Sequence, residues 1–332
     1  MSGEGLLTTS VGSLPKPDYL VRARSARARG QISQQELDDL ARQATREWIA
    51  FQEQIGVDVL VDGEQYRGDM VAYFAENLEG MALSGLVRSY GNRYYKKPVA
   101  VADIRRPRPI TVEWWEFAQS LTDRPVKGML TGPYTICDWS FDDHYGSRRE
   151  LVLALADVVR QEAEDLQQAG ARYIQIDEPA VSTRLDELDL AIEAMGIVTS
   201  GLRVHTTSHM CYGRFEEVYP RVLHLPVDAL DLEMTNSGLD LLERFREHAF
   251  TKDIGFGVVD VHSHRVPPVS EVKGHIYRAL EYLRPEQVYV DPDCGLKTRT
   301  VDEAKAMLET IEAARNEVRA ELRSGRRVPA PA

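Results

Sequence analysis

The sequence is short of cysteine, of positive charge and of long apolar runs, and each shortage excludes something. Its three cysteines, Cys137, Cys211 and Cys294, are an odd and sparse set for a chain of 332 residues. They do not make a disulfide framework, so the thiols are expected free, in a reducing cytoplasm. Lysine and arginine total 40 against 52 aspartates and glutamates, a net charge of −12. A general nucleic-acid partner, which needs a basic surface, is excluded. No apolar run approaches the roughly 20 residues of a membrane span, and the first residues lack the basic-then-apolar pattern of a secretory signal. What is present, 43% hydrophobic and 28% charged residues, suits a well-filled core under a soluble surface.

Eight strand-like runs, nearly all followed by helical patterns, set the expected fold: 6–13, 57–64, 126–133, 173–179, 202–211, 229–235, 253–262 and 287–291. Ser33-x-x-Glu36 is a capping box that opens a helix with an apolar stripe of Leu37, Leu40, Ala41, Ala44, Trp48, Phe51 and Ile55, ended by Gly56. Ser147-x-x-Glu150 opens a second, to Gly170, and Thr300-x-x-Glu303 a last one, to about Leu322. Further helices are expected near 111–121, 184–196, 239–247 and 269–283. Residues 16–32 read as basic and irregular, and 323–332 as a frayed tail.

Residues 65–110 do not fit the alternation. Arg88, Arg93, Lys96, Lys97, Arg105, Arg106 and Arg108 stand among Tyr90, Tyr94 and Tyr95 around a Gly91-Asn92 turn, which reads as a β-hairpin excursion after the second strand. It is either a grip for a phosphorylated or partner surface or a solvated arm. With no Gly-rich dinucleotide turn after the first strand and no linker, the expected fold is α/β, a (β/α)8 TIM barrel forming one domain over 1–332.

In such a barrel the active site lies at the C-terminal strand ends. Ser13, Glu64, Asp177, His209, Cys211, Glu233, His262 and Cys294 all fall there. Alternate residues of a strand share a face, so His209 and Cys211 present an imidazole and a thiol together. Spacing alone does not make that a site, since a His-x-Cys at a strand end is commonly structural. Barrel closure sets strand eight beside strand one, and strands five to eight form an arc, which brings Cys294 to the same mouth as His209, Cys211 and Glu233. Two thiolates, an imidazole and a carboxylate suit Zn²⁺. Such a site makes hydroxide poorly and is better at holding a substrate thiol as thiolate, where a free thiol of pKa about 8.5 is mostly protonated at neutral pH. Thiol alkylation is the expected chemistry.

Other readings of the same residues are weaker. His262-Ser263-His264 is a His-x-His, but in barrel hydrolases that pair belongs on the first strand, so His262 is expected as a proton carrier or polar wall. Asp177 and Glu178 could form an acid–base pair, yet adjacent strand residues point oppositely and only one faces the mouth. Cys137 is expected as a buried small hydrophobe.

With these residues collected, the chain resembles the catalytic half of cobalamin-independent methionine synthase. The matching stretches are Thr8-Thr9-Ser10-Val11-Gly12-Ser13-Leu14-Pro15, Val61-Asp62-Gly63-Glu64 with Asp69-Met70-Val71, Lys127 to Pro133, Trp139-Ser140-Phe141 and Ile174 to Ala180. They continue with His209-Met210-Cys211-Tyr212, Asp260-Val261-His262-Ser263 and Asp291-Pro292-Asp293-Cys294-Gly295-Leu296-Lys297-Thr298-Arg299. The resemblance implies a zinc barrel that moves a methyl group onto homocysteine to give methionine. It implies His209, Cys211, Glu233 and Cys294 as zinc ligands. Val11, Ser13, Glu64 and Asp177 would hold the amino-acid end of homocysteine, His262 would handle a proton, and Trp139 would stack on the folate pterin ring.

Two departures bear on the donor. The full-length enzymes carry an N-terminal half that helps hold the folate tail, which is not in this sequence, and Thr183 stands where the family has an acidic pterin contact. Both favour a methyl-corrinoid, free or on a partner protein, over methyltetrahydrofolate as donor, with the arm at 88–108 as its docking surface. The alternatives are a zinc thiol alkyltransferase with another thiol or alkyl donor, a non-catalytic zinc barrel, and a porphyrin decarboxylase by fold analogy.

Overall fold

The computed structural model describes residues 5–88, 94–211, 213 and 215–325, with only the backbone at 86–88, 94, 95 and 216. The Gly91-Asn92 turn, Arg93, Tyr212 and most of the expected tail lie outside the described residues. In chain order the elements begin β1 (Leu7–Thr8), α1 (Asp18–Ala28), α2 (Gln34–Ile55), α3 (Met70–Glu76), β2 (Glu79–Arg88), β3 (Tyr94–Arg105) and α4 (Val112–Gln119). Then come β4 (Gly128–Thr131), α5 (Pro133–Asp138), β5 (Phe141–Asp142), α6 (Arg148–Ala169), β6 (Tyr173–Asp177), α7 (Leu188–Thr199) and β7 (His205–Met210). The chain closes with α8 (Phe215–Val218), β8 (Ala229–Leu232), α9 (Leu241–Arg244), β9 (Asp253–Gly257), α10 (Val269–Leu280), β10 (Val288–Asp291) and α11 (Val301–Arg323). No helix among the described residues is long and apolar enough to cross a membrane.

Local signals set most helix ends. Both halves of the Ser33–Glu36 box form, and Gly56 ends α2 at φ 101, a left-handed conformation that costs glycine least. The Thr300–Glu303 box opens α11 in the same way. At α6 only half a box forms: Ser147 accepts from the Glu150 N–H, while the Glu150 carboxylate takes the Gly146 N–H at 3.0 Å. Residues 16–32 are not irregular, because 18–28 form α1. Its buried Leu20 and Ala23 pack on Leu37, Ala41 and Ala44 of α2, a stripe too thin to show among Arg22, Arg24 and Arg27.

The chain forms two compact units. The first comprises the described residues of Met1–Tyr66, Trp114–Lys127 and Ala229–Ala332. In it β1, β10, β9 and β8 lie side by side and parallel. The expected second strand is reduced to an isolated parallel bridge, Leu60↔Val126. The Val59 N–H donates to the Thr8 carbonyl at 3.0 Å and the Leu60 N–H to Pro125 at 2.8 Å. The ladder stops there because the Gln52 side chain of α2 takes both backbone groups of Val61, at 2.8 and 3.0 Å.

The second unit comprises Arg67–Glu113 and Gly128–Asp228. Here β4, β6 and β7 run parallel in that order. The expected hairpin is β2 paired antiparallel with β3, and β5 adds to β3 in parallel. Glu162 of α6 anchors its far end. That carboxylate, wholly buried, accepts from Arg106 Nε at 2.6 Å, from the Ile110 and Thr111 N–H groups and from the Thr111 hydroxyl. Arg106 is thereby engaged inside the unit, not offered to a partner. The helix expected at 184–196 begins only at Leu188, because Pro179–Thr183 and Leu185–Glu187 form 3₁₀ turns.

Candidate active site

In the first unit three loops are stitched together by their backbones. The Leu14 N–H donates to Gly63 at 3.1 Å and the Leu296 N–H to Ser13 at 2.8 Å. A side chain at Gly295 would strike Ser13 Oγ, so Ser13 sits directly against the residue after Cys294. Val11 is buried on the same loop. Glu64 is held at φ 54, left-handed and uncommon for a residue with a Cβ. Its N–H is caught by the Asp62 carboxylate at 2.7 Å and its carbonyl by Lys16 Nζ at 3.2 Å. Backbone strain of this kind concentrates at binding sites, where the surroundings over-determine it.

Glu233 follows β8 directly and is 4% exposed. Its Oε1 lies 3.0 Å from His262 Nε2, which joins two of the residues expected at the site. Cys294 is half-buried, three residues past the end of β10. Between them, Asp293 is a residue the sequence gives little reason to single out. Burial raises its carboxyl to about 6 against four donors from 234–236. The only signal for it is its place beside Cys294 in the Asp-Pro-Asp-Cys run.

In the second unit His209 and Cys211 are buried at and just beyond the end of β7. The His209 carbonyl accepts from the Glu178 N–H at 2.9 Å, and the Cys211 carbonyl from Ser182 Oγ at 2.8 Å. Asp177 closes β6, with Gln175 Nε2 donating to its Oδ1 at 2.7 Å. Glu178 faces elsewhere, which removes the acid–base pair. Its carboxylate takes the Tyr134 and Thr135 N–H groups at 3.0 and 2.8 Å and the Thr135 hydroxyl at 2.7 Å, while burial pushes its pKa up to about 7. It thus seats α5, and Trp139, partly exposed, caps that helix. Thr183 spends its hydroxyl on the Ala180 carbonyl at 3.0 Å.

Within the second unit His209 and Cys211 present an imidazole and a thiol, two of the donor types a metal ion takes. Glu233, the fourth expected ligand, is engaged with His262.

A family model described as the cobalamin-independent synthase catalytic domain matches residues 6–316. The 5-methyltetrahydropteroyltriglutamate–homocysteine methyltransferase of a Chelativorans species is 42% identical over 321 residues, 93% of this chain and 42% of that protein. The protein of the same name from Nitrobacter winogradskyi is 43% identical over 325 residues, again 93% and 42%. The chain therefore spans about two-fifths of the length of these curated relatives. Among solved structures, a B12-independent methionine synthase from a Shewanella species, in complex with selenomethionine, superposes with a TM-score of 0.86 at 28% identity. That match covers 96% of this chain and 99% of the other. A putative vitamin-B12 independent methionine synthase from Listeria monocytogenes, 17% identical with a TM-score of 0.73 over 94% and 98%, shares the fold. The α/β barrel class expected from the sequence is thus the observed one. The corrinoid donor expected from the sequence finds no support: the family description is cobalamin-independent, and the curated relatives carry a methyltetrahydropteroyltriglutamate in their names.

Proposed function

The chain belongs to the family of cobalamin-independent synthase catalytic domains, and from that membership we propose that it transfers the methyl group of a methyltetrahydropteroylpolyglutamate to the thiol of homocysteine, giving methionine. The observation that carries the proposal is the likeness to the selenomethionine-bound methionine synthase, of which this chain covers 99%. Zn²⁺ would be held by His209, Cys211 and Cys294, with Glu233 as the fourth and most easily displaced ligand. When bound, it would supply a Lewis acid that lowers the pKa of the substrate thiol.

The chain's own residues do the rest. Glu64 and Asp177 pair with the ammonium of homocysteine, while the Ser13 hydroxyl and the backbone near Val11 receive its carboxylate. This grip fixes the sulfur and excludes thiols that lack an amino-acid end. Trp139, with an exposed face, stacks on the pterin ring and aims the methyl group. The S–CH₃ bond forms as the N–CH₃ bond breaks, and the pterin nitrogen takes up a proton. His262, partly exposed beside Glu233, carries that proton.

The test is methyl transfer to homocysteine from 5-methyltetrahydropteroyltriglutamate, with methylcobalamin run in parallel and zinc measured on the same sample. Transfer from the folate alone, by protein holding one zinc, is expected. Zinc-loaded protein that leaves the folate methyl untouched would refute the proposal.

A further inference from the structure

We propose that Asp293 is a positioning residue, which sets Glu233 and Cys294 relative to each other across an intervening strand. The inference rests on the reading of those two as zinc ligands. β8, which leads into Glu233, and β10, which leads to Cys294, are not neighbours, because β9 pairs with both. No backbone ladder therefore fixes one ligand against the other. Asp293 supplies the missing connection. Its Oδ1 accepts the Met234 and Thr235 N–H groups, each at 3.0 Å, and its Oδ2 accepts the Asn236 N–H at 2.8 Å and the Thr235 hydroxyl. The three peptide planes that follow Glu233 are thus oriented by the residue that precedes Cys294.

The crossing has been given room and a footing. The Asp293 N–H donates to the Val259 carbonyl at 3.0 Å, just past the end of β9. At Gly257, the last residue of β9, an added Cβ would lie 2.1 Å from Asp293 Oδ1 and 2.7 Å from its Cα. Only glycine lets the carboxylate pass over that strand. Asp293 is itself fully buried, so the bonds it makes are not shared with bulk water. An outer carboxylate that orients metal ligands in this way typically alters metal affinity about 10–100-fold when removed.

The test measures zinc dissociation constants and the visible spectrum of the cobalt-substituted full chain. Asp293→Ala is expected to raise the zinc Kd by about 10–100-fold. Asp293→Asn, which keeps one acceptor oxygen, should raise it less, and Thr235→Val, which removes a single donor, least. The cobalt bands should shift in the same order, which a residue serving only stability would not cause. Gly257→Ala should reproduce the effect without touching an acid. Should Asp293→Ala fail to fold, Thr235→Val and Gly257→Ala decide the matter. Zinc affinity and cobalt bands unchanged in the folded variants, with zinc lost in Cys294→Ser, would overturn the positioning role alone. Zinc retained by Cys294→Ser would overturn the ligand reading and this inference with it.

Discussion

Each cysteine is defined by where it is buried. Cys137 lies inside α5, and desolvation pushes its thiol up to about 12. At pH 8 it is therefore protonated, and thiolate-directed reagents do not reach it. Iodoacetamide at that pH is expected to leave Cys137 unlabelled in folded protein and to label it fully in denaturant, as peptide mass spectrometry would show. Glu64 makes an opposite point, since its carboxylate is the proposed ammonium partner and its backbone is strained. Glu64→Gly is expected to relieve the left-handed geometry, leaving stability unchanged or raised by up to about 1 kcal/mol. The same change should raise the KM for homocysteine, and urea unfolding with steady-state kinetics would show both. His209 and Cys211 were legible because strand alternation puts them on one face. Asp293 was not, because its place depends on a glycine on another strand.

Elements were legible where a cap or a stripe announces them. Ser33, Thr300, Gly56 and Gly170 mark helix ends on local chemistry alone. The second barrel strand was overcalled because its hydrophobic pattern is right, but Gln52 intercepts the backbone at Val61. The short α5 was missed since Pro133 opens it directly from β4, and its N-terminal N–H groups are satisfied by Glu178, distant in sequence. This contact has a price at Gly132, where an added Cβ would lie 2.1 Å from the Glu178 carboxyl carbon. Gly132→Ala is expected to cost about 1–3 kcal/mol of stability. Because α5 carries Trp139, it should also raise the KM for the methyl donor more than that for homocysteine. Calorimetry and two-substrate kinetics would check the pair of effects.

At the scale of the molecule, the parallel strands of each unit are joined by backbone ladders. Removing zinc with a chelator is therefore expected to abolish methyl transfer while leaving the far-ultraviolet circular dichroism unchanged. Zinc returned afterwards should restore the rate. Barrel class was readable from the alternation of runs, because each strand and helix carries its own pattern. The division into two units was not, since both are assembled from separated stretches of sequence.

That interleaving bears on how the protein is born. β1 has its parallel neighbour in β10, so β1 leaves the ribosome long before the strand it pairs with. The unit made from Arg67–Glu113 and Gly128–Asp228 has emerged in full well before then. A nascent chain halted short of residue 288 thus holds the second unit complete and β1 with an open edge, the kind of edge that chaperones shield.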